Sequence, residues 1–105
     1  MAEKRSFPRK KRRLIVDYDD ALGGRHTGFT WDLSFTGLFI ASPSTPRIGD
    51  VLKVRLHLND GKRLEVTGRV VRAKRVPPMF TTEHAGFSLE LVGYFEEYTR
   101  YLSTL

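Results

Sequence analysis

Two guanidiniums stand four residues apart in Arg5-Ser6-Phe7-Pro8-Arg9. Pro8 biases Phe7 toward an extended or turned path, so both forks can converge on one ligand. Arginine suits such a role because its planar donors pair bidentately with phosphate oxygens or with the O6 and N7 edge of guanine, and its face stacks on a base. The same stretch, continued as Arg9-Lys10-Lys11-Arg12-Arg13, also reads as a solvated basic tail or an import-like run. A second polar group follows in Asp32-Leu33-Ser34-Phe35-Thr36-Gly37. In extended backbone Asp32, Ser34 and Thr36 share one face and Trp31, Leu33 and Phe35 the other, which predicts a polar strip over a packed one. The Asp32 carboxylate can accept two parallel N–H bonds, as the N1–N2 edge of guanine offers, and the Ser34 hydroxyl can donate to a phosphate. Gly37 permits a backbone angle or a close ligand approach that a side chain would block. An Asx-type turn closing a hairpin is the plainer reading of the same residues.

Other chemistry lacks its parts. His26, His57 and His84 share no metal-ligand spacing. Ser34 near Asp32 has no local base with the third, orienting group that a nucleophile needs. The chain has no cysteine, which excludes disulfides, thiol catalysis and cysteine-built zinc sites and fits a cytoplasmic setting. The expectation is a binding module: not an enzyme, with no metal and no cofactor beyond its ligand.

The charge is unevenly placed. The 105 residues carry a formal net charge of +6, and residues 1–13 account for all of it through Lys4, Arg5, Arg9, Lys10, Lys11, Arg12 and Arg13 against Glu3. A basic arm over 1–13 on a neutral body over 14–105 implies a polyanionic partner, whether nucleic acid, phospholipid or a phosphorylated small molecule. Mutual repulsion should keep the free arm mobile. No apolar run reaches signal-peptide or membrane-span length.

The elements that must position these groups are mostly strands. Leu52, Val54, Leu56 and Leu58 alternate with Lys53, Arg55 and His57, the period of a half-buried strand. Asn59-Asp60-Gly61-Lys62 then predicts a tight hairpin with positive φ at Asp-Gly. Leu64, Val66 and Val70 keep one phase and Val71 and Ala73 the other, which predicts a bulge near Gly68–Val71. Shorter alternating stretches cover 14–18, 29–36 and 85–91, where Phe29, Trp31 and Phe35 read as core. Pro43, Pro46 and Gly49 mark one connection and Pro77-Pro78 another. Phe95, Tyr98, Leu102 and Leu105 recur at helical spacing, predicting an amphipathic helix within 94–105 that lids the core. Together these describe one all-β domain, a barrel or sandwich.

The two polar motifs in this order resemble those of the PilZ domain family, R-x-x-x-R followed by D/N-x-S-x-x-G beside a small β-barrel. Arg5 to Arg9 is similar to the first and Asp32 to Gly37 to the second, although Arg9-Lys-Lys-Arg-Arg13 also satisfies the first pattern. Phe7 and Pro8 favour the Arg5/Arg9 register. The resemblance spans nearly the whole chain and implies a small antiparallel six-stranded β-barrel with a short C-terminal helix. It also implies a receptor for cyclic di-GMP in which Arg5, Arg9, Asp32, Ser34 and Gly37 contact the ligand. A single barrel of this kind, monomer or homodimer, would signal to a downstream protein partner through ordering of its arm. Two other readings stay open: a small barrel that binds single-stranded nucleic acid, and a PilZ-like docking module without nucleotide affinity.

Overall fold

The alternation over 51–58 is realised in full: Leu52, Val54 and Leu56 are buried while Lys53 is exposed and Arg55 and His57 lie half-buried outside. In the computed structural model, which describes residues 9–43, 46–74 and 85–105, this segment is strand β5 (Val51–His57). Before it come β1 (Lys10–Lys11), β2 (Ile15–Asp19), β3 (Arg25–Leu33) and β4 (Gly37–Ala41); after it come β6 (Arg63–Lys74), β7 (Gly86–Leu91) and helix α1 (Glu96–Ser103). The sheet runs β1-β3-β2-β5-β6-β7-β4, every pairing is antiparallel, and β3 also pairs β4. That last pairing closes six strands into a barrel, so no long edge is left to template aggregation. The two-residue β1 is added outside the ring, on the end of β3 that β2 does not reach.

The core is built from the inward phase of each strand, including Leu14, Val16, Tyr18, Leu33, Ile40, Val66, Phe87 and Leu89, and from Tyr98 and Leu102 of α1. Full burial of such a side chain stabilises by roughly 1.5–3 kcal/mol, which explains why the helix, with buried positions at i and i+4, seats as the lid expected of it. Its first turn carries Glu96 and Glu97, where the helix dipole favours anions. Among the described residues no helix is long and apolar enough to cross a membrane.

Three local expectations need correction. The β5–β6 turn has positive φ only at Gly61 (88°). Gly61 N–H donates to Leu58 C=O at 3.1 Å and Leu58 N–H to Lys62 C=O at 2.8 Å, a turn followed by a left-handed glycine rather than two left-handed residues. In β3 the register shifts between Thr30 and Asp32, so Thr30 and Leu33 point inward and Phe29 and Trp31 outward; Phe29 and Trp31 are therefore not core, while Phe35 packs against it. The reason is Thr30: its hydroxyl accepts the Leu14 N–H at 2.8 Å and donates to Arg12 C=O at 2.6 Å, an inward polar task that breaks the alternation. The same two bonds fasten the end of the basic arm, and Lys10–Lys11 pair with Leu33 and Asp32. Lys10 and Lys11 of the arm are thus part of the sheet and not a loose tail. The bulge expected near Gly68–Val71 is present, between Val70 and Arg72. Pro77-Pro78 and His84 lie outside the described residues.

Candidate functional site

The β3–β4 connection is held by one side chain. Ser34 N–H donates to Gly37 C=O at 2.8 Å, the Ser34 hydroxyl donates to the same carbonyl at 3.1 Å, and Gly37 N–H donates back to that hydroxyl at 3.2 Å. Ser34 is 1% exposed. The polar strip expected over Asp32, Ser34 and Thr36 is therefore broken: the strand ends at Leu33, Ser34 turns inward to close the turn, and Thr36 faces solvent. Gly37 is required for a packing reason. A Cβ there would lie 2.2 Å from the Leu89 carbonyl oxygen of β7, and its φ is not positive.

Beside this turn the two sequence motifs meet. Arg9 Nε donates to Asp32 Oδ1 at 2.8 Å and Nη2 approaches the same oxygen at 2.6 Å. The contact bridges 23 positions of sequence and is made because β1 pairs with the end of β3. The Asp32 side chain is 21% exposed and the Arg9 side chain 41%, so both remain open to a ligand. Arg5 lies outside the described residues. Arg13, the alternative motif arginine, sits over the Phe29 ring at 4.0 Å to the centroid.

Two contributors escaped the sequence reading. Tyr98 of α1 donates its hydroxyl to Ser34 C=O at 2.8 Å, so the helix supports the turn from beneath. Burial pushes the Tyr98 phenol well above its ordinary pKa, with the Arg9 charge acting in the opposite direction; it stays a proton donor. Trp31, 40% exposed, is the second. The bulge turns Trp31 outward next to Asp32, with Lys11 Nζ 6.0 Å from the ring centroid. Neither was legible: the Tyr98 hydroxyl finds its partner 64 positions away, and the sequence alternates without a break through Thr30, so the shift that turns Trp31 outward leaves no local signal.

Elsewhere His26 and His57 each bond an aspartate of β2 or its turn, Asp20 and Asp17, at 2.7 Å. Among the described residues no group of three metal-ligating side chains comes together.

A small closed antiparallel barrel with a guanidinium–carboxylate pair and a serine–glycine turn at one end has the form of a ligand-receptor module. The family model for the PilZ domain matches residues 3–91, and the chain belongs to that family, whose members are cyclic di-GMP receptor and adaptor modules and not enzymes. No curated protein matches the sequence. Among solved structures the chain is similar to the Bacillus subtilis inhibitor of motility MotI/DgrA, with TM-score 0.77 and 16% identity over 98% of this chain and 49% of that one. It is also similar to the PilZ domain of Escherichia coli YcgR with c-di-GMP, with TM-score 0.75 and 10% identity over 94% and 86% of the two chains. A third is the PilZ domain of CeSA from a cellulose-synthesizing bacterium, with TM-score 0.64 and 20% identity over 92% and 93%. The chain spans about half the length of the Bacillus protein.

Proposed function

We propose that this chain binds cyclic di-GMP at the β1/β3 end of the barrel and passes the bound state to a protein partner. The observation that carries the reading is the Arg9–Asp32 pair, which brings both motifs to one place. In the free site the pair satisfies itself. A ligand would separate it: phosphate takes the guanidinium and the N1–N2 edge of guanine takes the carboxylate, so each charge keeps a partner. The exchange costs little, because a solvent-exposed ion pair contributes only about 0–1 kcal/mol. Ser34 and Gly37 contribute by shaping the turn that holds Asp32, and Trp31 offers an apolar ring beside it. Arg5 would contact the same ligand, and ordering of the N-terminal arm on binding would be the event the partner reads. A cytoplasmic setting, as monomer or homodimer, accords with a soluble second messenger.

The test is calorimetric titration with cyclic di-GMP, alongside the Arg9→Ala and Asp32→Ala variants. Saturable binding lost in both variants supports the reading; no binding to the wild-type chain leaves a docking module without nucleotide affinity. A second reading is favoured by Phe29 and Trp31 lying outside with Arg13 and Lys11 over them, a stacking surface for single-stranded nucleic acid. Salt dependence separates the two, since a cyclic dinucleotide releases few counterions and a polynucleotide many.

A further inference from the structure

On the side of the barrel where the β5–β6 hairpin faces α1 lies an open groove of about 770 Å³. It shares no residue with the Arg9–Asp32 site. Its floor is apolar: Leu58, Leu64, Tyr101 and Leu105 line it, all at the margin of the core. Its walls are charged, with Arg12 on the arm side and Lys62 and Arg63 on the hairpin. Among the described residues these three cations make no ion pair. The other charges are largely committed. Asp60 accepts the Lys62 N–H at 2.9 Å within the turn, and Arg100 is held by Glu96 at 2.7 Å. Asp60 keeps its charge, so Asp60 and Glu97 stand against Arg12, Lys62 and Arg63, and the lining retains an excess of positive charge.

Apolar floors with unneutralised cations at the rim fit a ligand that is acidic at its edges and aliphatic at its centre. A nucleic-acid strand would use the cations but leave the leucines of the floor uncovered, since bases stack on aromatic faces. A peptide segment uses both. We propose that this groove docks an acidic segment of a partner protein that inserts an aliphatic side chain between Leu58, Leu64 and Leu105.

The probe is a fluorescein-labelled octapeptide of alternating glutamate and leucine, read by fluorescence anisotropy against the full chain. Its lysine–leucine counterpart and a single-stranded oligonucleotide of equal charge serve as comparisons. Saturable binding of the acidic peptide is expected, weakened about tenfold or more by Lys62→Glu and, from the opposite wall, by Arg12→Glu. Both positions are exposed, so the fold should persist, as a thermal melt verifies. Cyclic di-GMP titration of Lys62→Glu should match the wild-type chain, which separates failure here from failure of the nucleotide reading. The proposal is overturned by absence of saturable binding to the wild-type chain, by equal affinity in both variants, or by tighter binding of the oligonucleotide than of the peptide at the same groove.

Discussion

Arg9 places both of its bonds on Asp32 Oδ1, a pair that satisfies itself in the free site and that a ligand would separate, taking up each charge in turn. Charge-assisted contacts contribute roughly 1.5–3 kcal/mol each. Arg9→Ala and Asp32→Ala should therefore each weaken cyclic di-GMP binding by about ten- to a hundredfold in a calorimetric titration. Lys11→Ala should change it little, because Lys11 faces Trp31 and supplies only diffuse attraction. Equal losses from all three would mean nonspecific electrostatics. Arg5→Ala should match Arg9→Ala, and Arg13→Ala should be mild because that guanidinium rests on Phe29; the reverse order would move the motif to Arg9 and Arg13. At Tyr98, removing the hydroxyl leaves Ser34 C=O without that donor in a buried turn. Tyr98→Phe should cost about 1–3 kcal/mol in urea unfolding, and unchanged stability would show that the helix does not support the site.

Strands β2 and β5 are tied across the outer face by Asp17, which accepts from His57 at 2.7 Å and from Arg55. Burial raises the Asp17 pKa, but the bonds from His57 and Arg55 outweigh it, and the carboxyl ends below its ordinary 3.8. A carboxyl held lower in the folded state than in the unfolded one stabilises the fold above the unfolded value. That contribution disappears as pH falls through the folded value. Acid unfolding should therefore steepen below about pH 4, and Asp17→Asn should lower stability at neutral pH while flattening that limb. An acid limb identical in the variant would remove Asp17 from the account. Strands β4 and β7 meet at Gly37, where a methyl group would press on Leu89 C=O. Gly37→Ala should destabilise by about 1–3 kcal/mol, as overpacking does. Denaturant melts without a shift would show that the strands can part there at no cost.

Over the whole molecule the basic arm borders both the Arg9–Asp32 pair and the groove. Arg9 reaches Asp32, Lys10 Nζ donates to Leu105 C=O at 3.1 Å, and Arg12 forms a wall of the groove. A ligand that fixes the arm should raise amide protection over residues 4–13 and 32–37 and leave the β5–β6 hairpin unchanged in hydrogen exchange. Because Lys10–Lys11 are already paired with β3, the larger gain should fall upstream of Arg9. An arm equally protected with and without cyclic di-GMP would end the ordering mechanism and leave binding intact.

Much of this architecture was legible in the order of residues. Alternation along β5, β6 and β7, the bulge after Gly68 and the i, i+4 pair of α1 are local patterns, and a local pattern fixes which side of an element is apolar. The two polar motifs were legible for the same reason, as short runs of distinctive residue types. Their meeting was implied only by the family resemblance, since Arg9 and Asp32 are joined through the pairing of β1 with β3, a contact no spacing rule encodes. The roles of Thr30, Ser34 and Gly37 were not legible. Alternation placed Thr30 outside and Ser34 in a solvent-facing strip, but each hydroxyl satisfies backbone groups inside the barrel, and Gly37 answers to the nearness of β7. Tertiary structure decided these because a buried N–H or C=O must find a partner wherever the closed barrel places it, and that demand overrides strand periodicity.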